Sequence, residues 1–281
     1  MSVAADLGEL LGAPVRAVTD LGVRHSWTLH RAILADGRHV FAKVADNHAE
    51  VLTAEAAGLA WLRAGAPGLV PEVLAVDDRM LVLPWLPEAP ATPAAAERLG
   101  RELAALHANS PAAFGAPWSG WIADLPLDNT TGTGPWSRWY AERRIAPYLP
   151  HAAPHLGPDG IRLLERVIEN IDALAGPLEP PSRLHGDLWS GNILWTADRA
   201  ILIDPAAHGG HRETDLAMLA LFGAPHLDRI RAAYQETHPL SDGWRTRIPL
   251  HQLHPLLVHV VLFGSSYSDR TITAATAVLA A

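Results

Sequence analysis

The sequence of 281 residues has no cysteine, which excludes disulfide bonds, thiolate metal sites and a cysteine nucleophile. Phenylalanine and tyrosine occur only four times each, and charged residues make up 19% of the chain. Acidic residues outnumber basic residues by 30 to 22, and the formal charge of -8 argues against a nucleic-acid partner. The 49% of hydrophobic residues supplies a sizeable core, so we expect a globular protein that is stabilised by packing.

Long apolar runs are also missing. The most apolar stretch, Leu250 to Phe263, contains three histidines and is shorter than the ~20 residues that cross a bilayer. The first twelve residues carry Asp6 and Glu9 and no basic residue before their apolar positions, unlike a secretory signal. We therefore expect no membrane span and a cytoplasmic location.

The first third of the chain predicts a small antiparallel sheet with one helix. Two pairs of apolar segments, each separated by a short polar turn, have the pattern of β-hairpins. The pairs are Trp27 to Leu34 with His39 to Ala45, and Val73 to Val76 with Met80 to Leu83. Between the hairpins, apolar residues recur at helical spacing from Leu52 to Leu62, and Gly65 with Pro67 ends this helix.

The remainder of the chain predicts a larger, mainly helical lobe. A proline-rich linker follows Leu86, and Thr92 and Pro93 are placed as the N-cap and first residue of a helix. Helical stripes dominate after it, and short strands interrupt them near residues 193–195 and 201–203. The sequence thus predicts a two-lobed α+β fold, with an N-terminal lobe over 1–86 and a C-terminal lobe over 87–281.

Three polar residues in the second lobe point to phosphoryl transfer. Asp187 and Asn192 have the spacing of a kinase catalytic loop, in which four residues separate an Asp from an Asn. Asp204 ends an apolar strand, as the metal-binding Asp of kinases does. Such a site needs one carboxylate to orient the attacking hydroxyl, and an amide oxygen with a second carboxylate to bind Mg²⁺. Each residue alone also suits a turn or a cap, but the combination predicts Asp187 as the base and Asn192 and Asp204 as metal ligands.

The N-terminal lobe provides an independent check on this prediction. A kinase positions the phosphates of ATP with a lysine on a strand and a glutamate on the next helix. Lys43 alternates with apolar residues of its strand, and Glu55 lies beside the apolar stripe of the following helix. Glu50 is the competing partner, but it lies nearer the helix start, where an acidic residue simply complements the helix dipole.

The connection between the lobes has the position of a kinase hinge. A hinge reads adenine through one backbone carbonyl and, two residues later, one backbone N–H. Pro84 keeps the carbonyl, and Leu86 keeps the N–H that proline lacks. An ordinary connection between lobes fits the same residues.

Residues 185–192 (HGDLWSGN) and 203–218 (IDPAAHGGHRETDLAM) resemble the fructosamine kinase, or ketosamine-3-kinase, family of the protein-kinase-like fold. Residues 125–129 and 139–144 are similar to its acceptor-side segments, and the resemblance covers roughly Val15 to Tyr267. This family is related more distantly to aminoglycoside and choline phosphotransferases. The resemblance implies ATP-dependent, Mg²⁺-dependent phosphorylation of a sugar hydroxyl on a ketoamine, with a role in the repair of glycated amines.

Two positions depart from the family pattern. The turn that would cover the phosphates, Leu21 to Trp27, has one glycine, so Ser26 and Arg24 are predicted to contact phosphate in place of backbone N–H groups. Leu127 stands where many relatives carry glutamine, which removes one polar contact to the acceptor.

Further residues are predicted on the acceptor side or in support of the loop. The acceptor candidates are His208, His211, Trp189, Trp139 and Arg143. The two histidines suit a glycine-rich turn equally well, and the tryptophans suit core packing. Asp215 is predicted to accept backbone N–H groups of the catalytic loop, and His185 to pack against it.

Two alternatives remain open for the function, and one metal hypothesis is disfavoured. The alternatives are a kinase of another small alcohol, such as an aminoglycoside or choline, and a nucleotide-binding protein without turnover. His251, His254 and His259 share one apolar stretch, but no His-Glu-x-x-His pattern occurs, so we expect no transition metal there.

Overall fold

A computed structural model describes residues 2–24, 26–45 and 49–281 of the chain. The elements of the N-terminal lobe are α1 (Val3–Leu11), β1 (Val15–Arg24), β2 (Trp27–Leu34), β3 (His39–Val44), α2 (Ala49–Gly65), β4 (Ala75–Val76) and β5 (Met80–Pro84). The five strands form an antiparallel sheet in the order β1-β2-β3-β5-β4, and the two helices flank it. The predicted fold class is confirmed.

Local sequence explains the central hairpin of this sheet. Gly37 adopts a φ of 88°, which favours glycine, and the Asp36 carboxylate accepts the backbone N–H of Arg38 at 3.0 Å. In β3, Val40 and Ala42 pack with Leu7 of α1 in one buried cluster. Because side chains alternate along a strand, Lys43 projects from the opposite face, towards α2.

Two elements of this lobe were not predicted from the sequence. Helix α1 covers the outer face of the sheet and buries Leu7 completely. Strand β1 is an edge strand whose residues are mostly exposed, so it lacks the apolar alternation that marks a half-buried strand. Strand β4 is two residues shorter than predicted, although Leu74 still donates its N–H to the Val82 carbonyl at 2.9 Å.

The C-terminal lobe is mainly helical, with short strands that carry its loops. Its elements are α3 (Pro93–Ala108), β6 (Gly120–Ile122), β7 (Leu125–Leu127), α4 (Trp136–Tyr140), α5 (Leu149–Glu169), α6 (Ile171–Leu174), β8 (Ser182–Leu184), β9 (Ile193–Trp195), β10 (Ala200–Leu202), β11 (His208–Gly210), α7 (Glu213–Phe222), α8 (Leu227–Thr237), α9 (Trp244–Phe263) and α10 (Ser268–Ala280). As predicted, Thr92 caps α3, since its hydroxyl accepts the N–H of Ala95 at 3.1 Å, and Pro93 begins the helix. A π-helical turn, residues 141–145, follows α4.

Helix α2 belongs to the same buried core as the first helix of the C-terminal lobe. Leu52, Leu59 and Leu62 of α2 share a cluster with Leu99 and Leu103 of α3. This shared core fixes the helix that carries Glu55 relative to the loops of the second lobe. Among the described residues, no helix has both the length and the apolarity needed to cross a membrane.

The close approach of α3 and α8 yields a test of this packing. A Cβ atom on Gly100 would lie 2.2 Å from the carbonyl oxygen of Ile230, so Gly100→Ala forces the two helices apart. We expect a loss of about 1–3 kcal/mol in the free energy of unfolding, measured by thermal or urea denaturation. Gly134→Ala is the matched control, because a Cβ there meets nothing within 4 Å. Equal stability of the two variants would show that α3 and α8 are less tightly packed.

Candidate active site

The loop between β8 and β9, residues 185–192, is held by a buried carboxylate. Both oxygens of Asp215 accept backbone N–H groups, from His185 at 2.8 Å and from Gly186 at 3.0 Å. Gly186 has a φ of 82°, and a Cβ on it would lie 2.1 Å from the carbonyl oxygen of Ala206. The position therefore requires glycine, and the supporting role predicted for Asp215 is confirmed.

Two histidines complete the support of this loop. His107 Nε2 lies 3.1 Å from the Asp215 carboxylate, and its Nδ1 lies 2.9 Å from the Tyr234 hydroxyl. Burial opposes a charged Asp215, but the His107 hydrogen bond and the backbone N–H groups lower its pKa. His185 is fully buried and bonds the Ile203 carbonyl at 2.9 Å, which confirms its packing role. His107 was missed in the sequence, because 108 residues separate it from Asp215.

Asp187 and Asn192 are brought together by this loop. The Asn192 amide nitrogen donates to the Asp187 carboxylate and to the Asp187 carbonyl, both at 2.9 Å. The Asp187 side chain is only partly exposed to the cleft. Burial, together with the negative charges of Asp204 and Asp215, raises the pKa of Asp187 to about 7.

Lys43 joins the two lobes through two carboxylates. Its Nζ lies 2.7 Å from Glu55 Oε2 and 3.2 Å from Asp204 Oδ1, and it stands 4.6 Å from the centre of the Trp27 ring. Burial disfavours the ammonium, but the two carboxylates outweigh it and raise the pKa of Lys43. Glu55 is thus the partner, as predicted, and Glu50 is exposed on the same helix. Asp204 adopts a left-handed backbone with a φ of 52°.

These side chains line one end of a cleft between the lobes. Lys43, Asp187, Asn192 and Asp204 line a catalytic cavity of about 130 Å³. An adjoining apolar cavity of about 230 Å³ shares Lys43 and Asp204 with it. The lining of the apolar cavity includes Leu29, Phe41, Leu83, Pro84, Leu86, Leu194 and Ile203. An apolar slot beside a charged end suits a flat ring that bears an anionic chain.

The predicted hinge lies at this cleft, as do Leu21, Arg24 and Trp27 of the predicted phosphate turn, whereas His25 of that turn lies outside the described residues. The Trp85 N–H donates to the His39 carbonyl at 3.0 Å, whereas the Leu86 N–H donates to no other described residue. Arg24 lines both cavities. Ser26 stands close to Asp124, with 3.4 Å from its hydroxyl oxygen to each carboxylate oxygen.

The acceptor candidates separate into two groups. Trp189 lines the catalytic cavity, and its ring covers Gly191 so closely that a Cβ there would lie 2.3 Å from it. Arg143 lines a groove beside that cavity. His208, His211 and Trp139 are buried and line none of these cavities, so an acceptor role for them stays a prediction.

His211 and His251 belong to a buried polar cluster behind the cleft. Ligand atoms of His211, Glu213 and His251 lie within 4.8 Å of one another. The Arg247 guanidinium, however, donates to both oxygens of Glu213, at 2.5 and 3.0 Å, and neutralises its charge. The cluster thereby fixes the start of α7, the helix that carries Asp215.

Arg144 was also overlooked as a structural residue. It is 1% exposed, and its guanidinium donates to the Asp128 carbonyl at 2.5 Å and to the Asn129 side-chain oxygen at 2.8 Å. It also lies 4.4 Å from the centre of the Trp139 ring. The π-helical turn lets neighbouring arginines reach the same loop, which helical spacing does not predict.

The fold is that of the kinase-like phosphotransferases. An aminoglycoside phosphotransferase, solved as a complex with ADP and hygromycin B, superposes with a TM-score of 0.67 at 15% identity, over 98% of this chain and 99% of its own. A macrolide 2'-phosphotransferase gives 0.65 at 18% identity, over 100% and 98%. At these identities the likeness establishes the fold alone.

Sequence similarity assigns the family within that class. The sequence model described as fructosamine kinase matches residues 15–281. A probable ketoamine kinase of Klebsiella aerogenes is 34% identical over 82% of each chain. The crystal structure of a fructosamine-3-kinase candidate from Thermobifida fusca is 53% identical, with a TM-score of 0.96 over 100% of this chain and 99% of its own. The chain belongs to the fructosamine kinase family and is a kinase.

The raised pKa of Asp187 predicts that the stability of the fold depends on pH. Between its ordinary pKa of 3.8 and about 7, the folded protein binds a proton that the unfolded chain releases. Ionisation of Asp187 therefore destabilises the fold increasingly from about pH 4 to about pH 7 and by a constant amount above that. We expect Asp187→Asn to raise the Tm by an amount that grows over this interval and then levels off.

Calorimetric melting at several pH values measures this effect. Asp159→Asn serves as the control, because the Asp159 side chain is 96% exposed. A Tm gain for Asp187→Asn that does not depend on pH would contradict the raised pKa.

Proposed function

We propose that this protein is an ATP-dependent kinase that phosphorylates a sugar hydroxyl of a ketoamine, and that it acts in the repair of glycated amines. In this proposal residues 1–86 bind the nucleotide, and residues 87–281 carry catalysis and the acceptor. The observation that carries it is the convergence of Asp187, Asn192 and Asp204 with the Lys43–Glu55 pair in one cavity, which adjoins the apolar cavity. Family membership supports the acceptor class.

The donor set of the catalytic cavity fits a hard divalent cation such as Mg²⁺. Asn192 donates through its amide nitrogen to Asp187, which leaves its amide oxygen as a ligand. The Asp204 side chain is 36% exposed, and the Lys43 interaction outweighs burial and lowers its pKa, so it is charged. Amide and carboxylate oxygens are the ligands that Mg²⁺ prefers. When bound, the ion would neutralise charge on the phosphates.

The nucleotide would place its base in the apolar cavity and its phosphates towards Lys43. Pro84 and Leu86 line that cavity, and the Leu86 N–H is available to the base. Arg24 lines both cavities and Ser26 stands nearby, so these residues replace the glycine-rich backbone that other kinases place over the phosphates. A related aminoglycoside phosphotransferase binds ADP, in agreement with this role for the cleft.

Asp187 would orient the acceptor hydroxyl and take its proton as the oxygen attacks the γ-phosphate. Its carboxylate is held by Asn192 and partly exposed to the cavity, which is the requirement for a positioned base. Trp189 lines the same cavity and offers an aromatic face to the sugar ring.

An acceptor screen with MgATP tests this function. We expect phosphorylation of fructosyl-lysine and ribulosyl-lysine, with kcat/KM at least ~10²-fold above that for kanamycin and choline, because a site that reads a hydroxyl pattern rejects analogues lacking it. Phosphate incorporation is followed by mass spectrometry of the acceptor. Equal or greater kcat/KM for kanamycin would overturn the ketoamine assignment but not the kinase chemistry.

Asp187→Ala is the control for catalysis in the same screen. It should retain ATP binding and lose about 10²-fold to 10⁴-fold in kcat, the range for a positioned base. ATP binding without phosphorylation of any acceptor by the unmodified protein would indicate a binding protein without turnover.

The Lys43–Glu55 ion pair predicts non-additive effects on ATP use. Lys43→Met and Glu55→Gln should each lower kcat/KM for ATP, and the double variant should be little worse than the more damaging single change, because the partners are in direct contact. Glu50→Gln on the same helix is the matched control and should have little effect. Additive losses in the double-mutant cycle would be incompatible with this pair.

A further inference from the structure

A large groove leads away from the catalytic cavity and is not used by the nucleotide or the reacting hydroxyl. It has a volume of about 1100 Å³ and shares Trp118, Gly120 and Trp121 with the catalytic cavity. Tyr148 and Val261 belong to its lining further out. We call it the acceptor groove, since any group attached to a sugar in the catalytic cavity can extend into it.

The lining of the acceptor groove is mostly apolar, with one ion pair. Its apolar residues include Trp118, Trp121, Pro126, Leu127, Tyr148 and Val261. Its ion pair consists of Asp128 and Arg143, whose side chains are 36% and 35% exposed. An aliphatic chain therefore matches the walls, and a polar end matches the ion pair.

The Arg143 guanidinium of this pair has donors left for a ligand. Asp128 accepts the Thr130 N–H on one oxygen and Arg143 Nη1 on the other, each at 2.9 Å. Arg143 donates only this one side-chain hydrogen bond to described residues, so its Nη2 and Nε groups are available. The groove thus offers the Nη2 and Nε donors of Arg143 to a ligand.

The local charge also favours an anion. Arg144 lies behind the same loop and bonds the Asp128 carbonyl and the Asn129 amide, but it bonds no carboxylate among the described residues. Burial lowers its pKa only to about 10, so it keeps its charge at neutral pH. Two guanidinium groups therefore stand beside one carboxylate at this end of the groove, although the whole chain carries a charge of -8.

We propose that the acceptor groove binds the amine-bearing part of the ketoamine, and that Arg143 selects acceptors in which this part is an aliphatic chain ending in a carboxylate. This inference rests on the proposed function and narrows it. Ketoamines of free amino acids, or of a lysine at the C-terminus of a chain, carry such a carboxylate. A lysine inside a protein carries a peptide amide in place of this carboxylate.

A matched pair of acceptors tests the selection by Arg143. The fructosamine of 6-aminohexanoate and that of its primary amide have the same length and differ in charge. We expect the kcat/KM of the unmodified protein to favour the acid by about 10-fold to 100-fold, as a hydrogen bond between charged groups would give.

Three variants locate the effect. Arg143→Met should abolish the preference by lowering kcat/KM for the acid to the level of the amide, because the apolar side chain of similar length keeps the wall but loses the charge. Arg143→Met alone leaves the Asp128 carboxylate without its partner, and this charge would repel the acid. The double variant Asp128→Asn with Arg143→Met lacks that carboxylate, so a loss of the preference in the double variant is due to the missing guanidinium. Arg138→Met is the control, because Arg138 pairs with Asp172 and does not line the groove.

The outcomes separate this inference from the function on which it rests. Equal kcat/KM for acid and amide in the unmodified protein, or an unchanged preference in Arg143→Met, would overturn the inference while the proposed function stands. If neither ketoamine were phosphorylated and another alcohol were, both would be overturned.

Discussion

The contact of Lys43 with Glu55 and Asp204 connects the two lobes of this kinase. Lys43 is the only lysine in the sequence, whereas all other basic side chains besides histidine are arginines. Its Nζ touches one carboxylate from α2 and one from the C-terminal lobe. Breaking a buried pair leaves an uncompensated charge at a cost of about 3–5 kcal/mol, so the ammonium holds strand β3, helix α2 and the segment that carries Asp204 in one arrangement.

The catalytic loop depends on a second buried charge. Asp215 binds two backbone N–H groups of the loop, and His107 stabilises its negative charge from the other side. Because this carboxylate is fixed, Asp187 can occupy a position where burial raises its own pKa. The fold thus keeps the Asp187 carboxyl in the cleft at a cost in stability. Carboxyl groups with a perturbed pKa are typical of catalytic sites.

The groove beside the catalytic cavity differs from that cavity in charge, because guanidinium groups stand at its end. Arg143 and Arg144 reach one loop from a π-helical turn, and Trp139 packs under the second of them. Such turns often mark functional sites, because they redirect side chains that a regular helix would place elsewhere. The catalytic cavity is therefore lined by carboxylates, whereas the groove beside it carries an excess of positive charge.

The sequence by itself determined the two-lobed fold and the family, because these depend on short motifs and on local periodicity, such as the alternation around Lys43. It also predicted Asp187 as a base and Asn192 as a metal ligand from their spacing of five positions. Only tertiary structure decided the partners that no local pattern predicts, as the contact of His107 with Asp215 shows. It also showed that His208 and His211 are buried, since a glycine-rich turn has no periodicity that distinguishes an inward from an outward side chain. Contacts between distant segments leave no local pattern, and packing decides them.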